Sequence, residues 1–170
     1  MSLVIRQATL ADSVLLKELG YSIYSAHFKH MWNSEAELNH YLEGEYSLSV
    51  LEKSLRDRNV SWYVADSEGP MGFAKLTWQA TIPGTDISGV LLNKLYLSPA
   101  TTNKNYGQLM FATITDLARR NGGDFLWLEV LEQNERAYRF YKKQGMQYIK
   151  DIIFETVSQQ STLKIMGMHI

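Results

Sequence analysis

The chain has 170 residues, a formal net charge of -1 and no cysteine. That length suits a single domain with a sizeable core, expected over residues 1–170. The near-neutral charge gives no general attraction to nucleic acid or to an anionic membrane, and the lack of cysteine excludes disulfides, thiolate nucleophiles and cysteine-based zinc sites. No signal segment opens the chain and no apolar run approaches the length of a membrane span. We therefore expect a soluble cytoplasmic protein that binds neither nucleic acid nor membrane.

The first third of the chain predicts one strand and three helices. Thr9 and Asp12 have the spacing of a helix-opening capping box, and apolar residues then recur every three or four positions. A serine followed by glutamates opens the second helix, and a glycine is expected to end it. The expected elements are a strand over 3–8, a helix from Thr9 to about Phe28, a helix from Ser34 to Gly44, and a helix from Ser49 to Arg58.

Two further stretches predict antiparallel strand pairs. Each has β-branched and aromatic residues on both sides of a turn-forming segment. Residues 80–89 contain a proline and two glycines and are expected to form a loop. The expected strands are Trp62–Ala65 and Met71–Gln79 around the turn 66–69, and 148–157 and 163–168 around the turn 158–161.

Residues 91–146 have the strongest pattern, which predicts a strand, a polar loop, a helix, a second strand and a second helix. The apolar strand Leu91–Leu97 ends before a proline. Alternation over Phe125–Val130 predicts the next strand, and Asn134 as N-cap with Gly145 as the stop bounds the last helix. The middle helix is expected to begin at Tyr106, to stop at Gly122, and to bury the stripe Leu109, Met110, Thr113, Ile114 and Leu117.

The polar loop Thr102–Gly107 leads from a strand into a helix. At such a place several backbone N–H groups lack intrahelical partners, and the helix dipole favours an anion. Lys104 adds a positive charge, and Gly107 lets a ligand approach the backbone closely. The same residues are also ordinary turn formers, so the loop alone leaves a phosphate site and a plain turn both open.

The last predicted helix resembles part of a known family. The pattern Asn134-x-x-Ala137-x-x-Phe140-Tyr141-x-x-x-Gly145-Met146 is similar to the late motif of the GNAT superfamily of acetyl-CoA-dependent N-acetyltransferases. The opening Val4–Thr9, with Asp12 after it, is similar to that family's start. Within the family the chain most resembles bacterial spermidine/spermine N-acetyltransferases, at scattered positions. These are Phe28-Lys29, Asn33-Ser34, Tyr41-Leu42-Glu43, Leu51-Glu52-Lys53 and Leu163-Lys164-Ile165-Met166.

The resemblance implies a single-domain α/β (α+β) fold with a mixed, mostly antiparallel central sheet flanked by helices. It also implies acetyl-CoA as co-substrate, with the pyrophosphate at the strand-to-helix loop and the pantetheine arm at Asn134. The implied cofactor-binding residues are Leu95, Tyr96, Leu97, Thr102, Asn103, Lys104, Asn105, Tyr106, Gly107, Asn134 and Lys143. Asn134 is equally a plain helix cap, and Lys143 equally a solvated lysine.

The loop departs from the family's pattern at two positions. The family has Gln or Arg where this chain has Thr102, and glycine where it has Asn105. Asparagine is the non-glycine residue that best tolerates a left-handed backbone, so we expect the turn to survive. Thr102 cannot replace a long polar side chain.

Acetyl transfer to an amine needs a held thioester, a neutral amine, and a proton for the departing thiolate. The resemblance places Tyr141 beside the sulfur as general acid, and a phenol with a pKa of roughly 10 keeps its proton at neutral pH. Without the motif, Tyr141 would be interpreted as a core tyrosine. Glu129 is the candidate base, acting through water, because Asn93 stands where relatives often have a carboxylate. No metal site is expected, since the neighbouring histidines His27 and His30 have no evident further ligand.

Three functions stay open. One is acetyl transfer to a small polyamine-like amine, the second is acetylation of a protein N-terminus or lysine, and the third is a non-catalytic acyl-CoA-binding domain. A small-molecule amine is the expected partner, and a homodimer is left open. An acidic bias of the early helices could attract a cationic amine, although such a helix is often only solvated. The glutamates concerned are Glu35, Glu37, Glu43, Glu45 and Glu52.

Overall fold

Residues 2–101 and 105–170 are described by a computed structural model. Within these ranges the chain forms seven strands and five α-helices. In chain order they are β1 (Val4–Gln7), α1 (Ser13–Phe28), α2 (Glu35–Tyr46), α3 (Leu48–Arg56), β2 (Val60–Asp66), β3 (Pro70–Thr81), β4 (Ser88–Leu97), α4 (Tyr106–Arg120), β5 (Phe125–Leu131), α5 (Glu135–Lys143), β6 (Gln147–Glu155) and β7 (Gln160–His169). No helix in the described ranges has the length and apolarity needed to cross a bilayer.

The strands form one sheet in the order β1-β2-β3-β4-β5-β7-β6. Neighbours in the sheet are antiparallel except β4 and β5, which run parallel. Helices α1, α2 and α3 pack on one face around Leu16, Tyr46 and Phe73, and α4 and α5 pack on the other around Met110 and Ile114. The α/β fold expected from the sequence, a mostly antiparallel sheet flanked by helices, is confirmed.

Strands β4 and β5 separate soon after they meet. Their ladder consists of Val90 opposite Leu126 and Leu91 opposite Trp127. Beyond these pairs β4 continues to Leu97 without pairing to β5, so the two strands bound a wedge-shaped opening. The edge of β4 that faces this wedge has backbone groups available to a ligand, because a parallel partner is missing there.

A β-bulge in β4 reverses which face its side chains point to. Lys94 pairs with Lys75 of β3, but Leu92 pairs with Leu76, so Asn93 is an extra residue. Leu92 therefore contacts the α4 side of the sheet, as Leu95 and Leu97 do after the bulge. Lys94 and Tyr96 lie on the opposite side, facing α1 and α2.

The boundary between the second and third helices differs from the prediction. Helix α2 continues through Gly44 to Tyr46, and Ser47 rather than Ser49 caps α3, by accepting a hydrogen bond from the Val50 N–H. Tyr46 is fully buried, and burial of its ring outweighs the cost of about 1 kcal/mol for a glycine inside a helix. Helix α3 ends at Arg56 instead of Arg58, because the Asp57 carboxylate turns the chain by accepting from the Asn59 N–H.

The predicted loop over 80–89 is present but shorter than expected, because only residues 82–87 lie outside the strands. β3 extends to Thr81 and β4 begins at Ser88, and these two residues are paired. Ile82 is fully buried against a cluster that includes Trp127, and its N–H bonds the Ile87 carbonyl at 2.8 Å. This anchor leaves a short turn around Pro83.

The buried stripe of α4 is also different from the prediction. Leu109 is 51% exposed, and Thr113 and Leu117 are only half-buried. The helix instead buries Tyr106, Met110, Phe111, Ile114, Thr115 and Ala118. The rotation follows from Tyr106, which is buried with its hydroxyl hydrogen-bonded to Ser67 and so fixes the first turn. The C-terminal hairpin turns at residues 156–159, about two residues earlier than expected, because β7 begins at Gln160.

Candidate active site

The residue that precedes α4 has the backbone conformation expected at this point of the loop Thr102–Gly107. Asn105 has φ 58° and ψ 19°, so this asparagine takes the left-handed conformation that the family gives to glycine. The Leu109 N–H is bonded to the Asn105 carbonyl, and the N–H groups that precede it lack intrahelical partners. Thr102, Asn103 and Lys104 lie outside the described residues.

Gly107 lies where α4, α5 and the end of β4 meet. A Cβ added there would be 3.8 Å from the Phe140 ring and 3.9 Å from Leu97, which is ordinary contact. The protein's own packing therefore does not require glycine at this position. A glycine in the first turn of a helix of 15 residues leaves the backbone open to an anion.

The end of β4 is held from the α1 side. His27 Nε2 donates a hydrogen bond to the Leu97 carbonyl at 2.7 Å. This contact gives His27 a structural partner, and no cluster of three or more potential metal ligands occurs in the described ranges. Leu95, Tyr96 and Leu97 thus border the wedge on a fixed strand.

Asn134 and Lys143 occupy opposite ends of α5. The Asn134 Oδ1 accepts from the Ala137 N–H at 3.2 Å, so this side chain caps the helix. Its side-chain N–H groups are not used by that contact and can still bind a ligand. Lys143 is exposed in the last turn, about two and a half helical turns from Asn134.

Tyr141 packs its ring beside the wedge. The ring centroid is 5.8 Å from that of Phe111 and 5.2 Å from that of Phe140. Burial raises the pKa of the Tyr141 hydroxyl well above its ordinary value, so the phenol keeps its proton at neutral and alkaline pH. Tyr141 lies near enough to Tyr96 of β4 that its ionised form would raise the pKa of the Tyr96 hydroxyl.

Glu129 lies on β5, across the wedge from Lys94 and Tyr96. Its side chain is exposed, yet partial desolvation raises the pKa of its carboxyl, against the opposing effect of the positive Lys94. A carboxylate with a raised pKa is a stronger base near neutral pH. Asn93, in contrast, only accepts a hydrogen bond from the Thr77 hydroxyl at 2.8 Å.

The sequence interpretation missed Lys94, which is 5% exposed and forms an ion pair with Glu45 of α2 at 2.6 Å. It also missed an aromatic wall on the α1 and α2 side of the wedge. In this wall the ring centroid of Tyr24 lies 6.2 Å from that of Tyr96 and 5.0 Å from that of Tyr41. We call the surface formed by Tyr41, Tyr96 and Glu129 the acceptor face. A lysine inside the apolar strand 91–97 was the one sequence signal for this site.

The β6–β7 turn, residues 156–159, bonds to the segment between α1 and α2. Gln159 accepts from the Asn33 N–H at 2.8 Å and donates to the Met31 carbonyl at 3.2 Å. Glu37, in the first turn of α2, accepts from the N–H and the hydroxyl of Ser158.

Two aromatic residues continue this bridge towards the acceptor face. The rings of Trp32 and Phe154 lie 5.4 Å and 6.2 Å from that of Tyr41. We call residues 156–159, together with Trp32 and Phe154, the roof.

The fold and sequence resemble known acetyltransferases. A family model described as acetyltransferase (GNAT) family matches residues 22–146. A Lactobacillus delbrueckii subsp. lactis protein, described as an uncharacterized N-acetyltransferase in the pepI 3' region, is 24% identical over 124 residues, which are 72% of this chain and 72% of that protein.

Two solved structures share the fold. The PaiA N-acetyltransferase of Thermoplasma acidophilum, in complex with coenzyme A, has a TM-score of 0.75 at 21% identity over 100% of both chains. The Salmonella typhimurium acetyltransferase yncA, with its cofactor acetyl-CoA, has a TM-score of 0.64 at 19% identity over 99% of this chain and 94% of that one. Because the family model covers most of the sequence, this chain belongs to the GNAT family of acetyltransferases.

Proposed function

We propose that the protein transfers an acetyl group from acetyl-CoA to the primary amine of a small, polyamine-like acceptor. Family membership supports the reaction class, and relatives of the same fold bind coenzyme A and acetyl-CoA. The observation that carries the choice of a small acceptor is the roof, which joins the β6–β7 turn to the start of α2.

The residues present fit acetyl-CoA, which supplies a thioester-activated acetyl group. The open backbone at Gly107 and the first turn of α4 suit the phosphates. The unpaired edge of β4 at Leu95–Leu97 offers backbone hydrogen bonds to the amide-bearing arm, and Asn134 adds a side-chain amide. In this proposal Lys143 serves the phosphates, as do Thr102, Asn103 and Lys104 of the same loop.

The amine attacks the thioester directly, and two side chains transfer the protons. Glu129, with a carboxyl of raised pKa, removes the amine proton through water. Tyr141, kept protonated by its burial, donates to the departing thiolate. The two lie on β5 and α5, and both are near enough to Tyr96 of β4 to raise the pKa of its hydroxyl.

The roof favours a small amine over a peptide. A protein N-terminus or a lysine on a folded surface needs an open groove, whereas four hydrogen bonds close the roof, which in this proposal covers the acceptor. The third candidate, a non-catalytic acyl-CoA-binding domain, is suggested by Asn93, which cannot act as a base. A thiol-release assay with acetyl-CoA against a panel of amines and peptides separates the three. If neither amines nor peptides cause thiol release, the non-catalytic acyl-CoA-binding domain is the remaining candidate.

Opening the roof should weaken acceptor binding. In the double variant Glu37→Ala, Gln159→Ala, we expect the KM for a small amine to rise about three- to tenfold, because the variant removes all four hydrogen bonds that close the roof and most of these bonds are exposed to water. The KM for acetyl-CoA should not change. Val157→Ala is the matched control, since Val157 lies in the same turn and is 101% exposed. If the double variant keeps the wild-type acceptor KM, the roof does not cover the acceptor.

The acidic early helices should attract the acceptor only weakly. Glu45 forms an ion pair with Lys94, and a carboxylate oxygen of Glu52 lies 4.0 Å from a guanidinium nitrogen of Arg56. The Glu37 carboxylate accepts a hydrogen bond from Ser158. We therefore expect the KM of a polyamine to rise modestly, by about threefold, when salt increases from 50 to roughly 300 mM. Steady-state kinetics at fixed acetyl-CoA measure it. A steep increase would mean that these helices guide the acceptor, and no increase would favour a neutral amine.

A further inference from the structure

We propose that Lys94 is a positioning residue for acetyl transfer: one buried cation that anchors α2 to the sheet through Glu45 and lies on the same face of the sheet as Glu129, across the wedge. The inference rests on the proposed function, because it takes Glu129 as the base. It assigns a role to a side chain that neither touches the thioester nor exchanges a proton.

Two contacts hold the Lys94 ammonium group. Its side chain is 5% exposed, its Nζ lies 2.6 Å from Glu45 Oε1, and the same nitrogen is 5.0 Å from the centroid of the Tyr46 ring. The Tyr46 ring is fixed in turn, because a Cβ on Gly20 would come within 2.2 Å of it. A buried ammonium group is costly unless it is paired, so this arrangement fixes the position of the charge.

The pair with Glu45 connects α2 to the central strand. Within residues 2–101 and 105–170 it is the one ion pair that links α2 to the sheet. The same helix presents Tyr41 to the acceptor face. Loss of the pair should therefore loosen the acceptor face and leave the acetyl-CoA side of the wedge intact.

Lys94 and Glu129 lie on the two strands that border the wedge, and both side chains are on the face of the sheet opposite α4. The groups that face Glu129 are Lys94 and Tyr96 from β4, and the apolar Ile165 directly opposite on β7. No ion pair joins Glu129 to another residue in the described ranges, so Lys94 acts over a longer distance. Desolvation raises the pKa of Glu129 and Lys94 lowers it. Removal of the lysine charge should therefore raise this pKa further and protonate the base at higher pH.

The bulge at Asn93 explains why a lysine can take this place. If β4 were a regular strand with no bulge, alternation would place Lys94 on the same face as Leu92, in the apolar core beneath α4. Lys75, directly opposite on β3, lies on the same face and is half-buried, with its Nζ 5.4 Å from the Trp62 ring. It has no ion pair in the described part of the chain, which makes it a matched control.

The test compares pH profiles of kcat/KM with one fixed amine acceptor, whose own ionisation is common to all variants. In Lys94→Met the acid limb of the kcat/KM profile should move to higher pH. In Lys94→Arg the limb should lie at its wild-type position. Lys75→Met should leave the limb in place. Glu45→Gln keeps the lysine charge and should raise the acceptor KM about three- to tenfold without an upward shift of the limb. An unmoved limb in folded Lys94→Met, or an unchanged acceptor KM in Glu45→Gln, overturns the proposal.

A titration independent of activity separates this inference from the proposed function. Carbon-13 NMR of the Glu129 carboxyl, assigned with Glu129→Gln, should show a higher pKa in Lys94→Met than in the wild type. If Lys94→Met does not fold, Lys94→Gln takes its place in both measurements. If Glu129→Gln retains the acid limb, Glu129 is not the base. If it loses the limb while the carboxyl titrates identically with and without the lysine charge, the role of Lys94 is wrong and the proposed function stands.

Discussion

Tyr141→Phe should lower kcat by about 100-fold or more while the affinity for acetyl-CoA changes little. General acid catalysis contributes about 100-fold to 10,000-fold, and a thiolate is already a fair leaving group, so the lower part of that range is expected. The ring contacts with Phe111 and Phe140 are retained in the variant. The substitution removes only the hydroxyl, so it should cost little stability.

The pH dependence supplies a second readout for Tyr141. Because burial raises the pKa of this hydroxyl, its proton is retained through the alkaline range, and we expect no loss of wild-type activity from its ionisation up to about pH 10. Tyr138→Phe is the matched control, a half-buried tyrosine one turn earlier on α5. Near-normal turnover of Tyr141→Phe across the alkaline limb would show that the hydroxyl is structural and that the thiolate takes its proton from water.

Local patterns were sufficient to predict most elements. Serine at 34 and asparagine at 134 cap their helices as expected, each by accepting a backbone N–H three residues later. Gly122 and Gly145 have φ of 89° and 107°, the left-handed conformation predicted for helix stops. The left-handed Asn105 was predicted from the tolerance of asparagine for positive φ. Each of these features depends on residues that are close in sequence, so each could be predicted from the sequence alone.

The acceptor side could not be predicted in this way. Alternation alone places Lys94 with Leu92 on the core face, and the bulge that reverses them is set by pairing with β3. The roof joins residues 121 to 128 positions apart, through contacts that no local pattern encodes. Gly44 was mistaken for a helix stop because the tertiary burial of Tyr46 outweighs its local preference.

Gly107 provides the most direct test of the cofactor site. It lies in the first turn of α4, where N–H groups without intrahelical partners suit a phosphate. Since an added Cβ makes only ordinary contacts, at 3.8 Å or more, substitution should leave the protein folded. Valine also has a higher helix propensity than glycine, so the helix itself should not be weakened. Any loss of affinity for acetyl-CoA can then be attributed to the contact with the ligand and not to unfolding.

We expect Gly107→Val to weaken acetyl-CoA binding about 10-fold to 100-fold. The branched side chain blocks close approach to the backbone, and the loss of one hydrogen bond to a charged group costs about 1.5–3 kcal/mol. Calorimetric titration with acetyl-CoA measures the change, and circular dichroism checks the fold. Gly44→Val is the matched control, because a Cβ at this helical glycine meets nothing within 4 Å. Equal affinities in the wild type and Gly107→Val would place the phosphates elsewhere, and no heat with folded wild-type protein would refute acetyl-CoA binding itself.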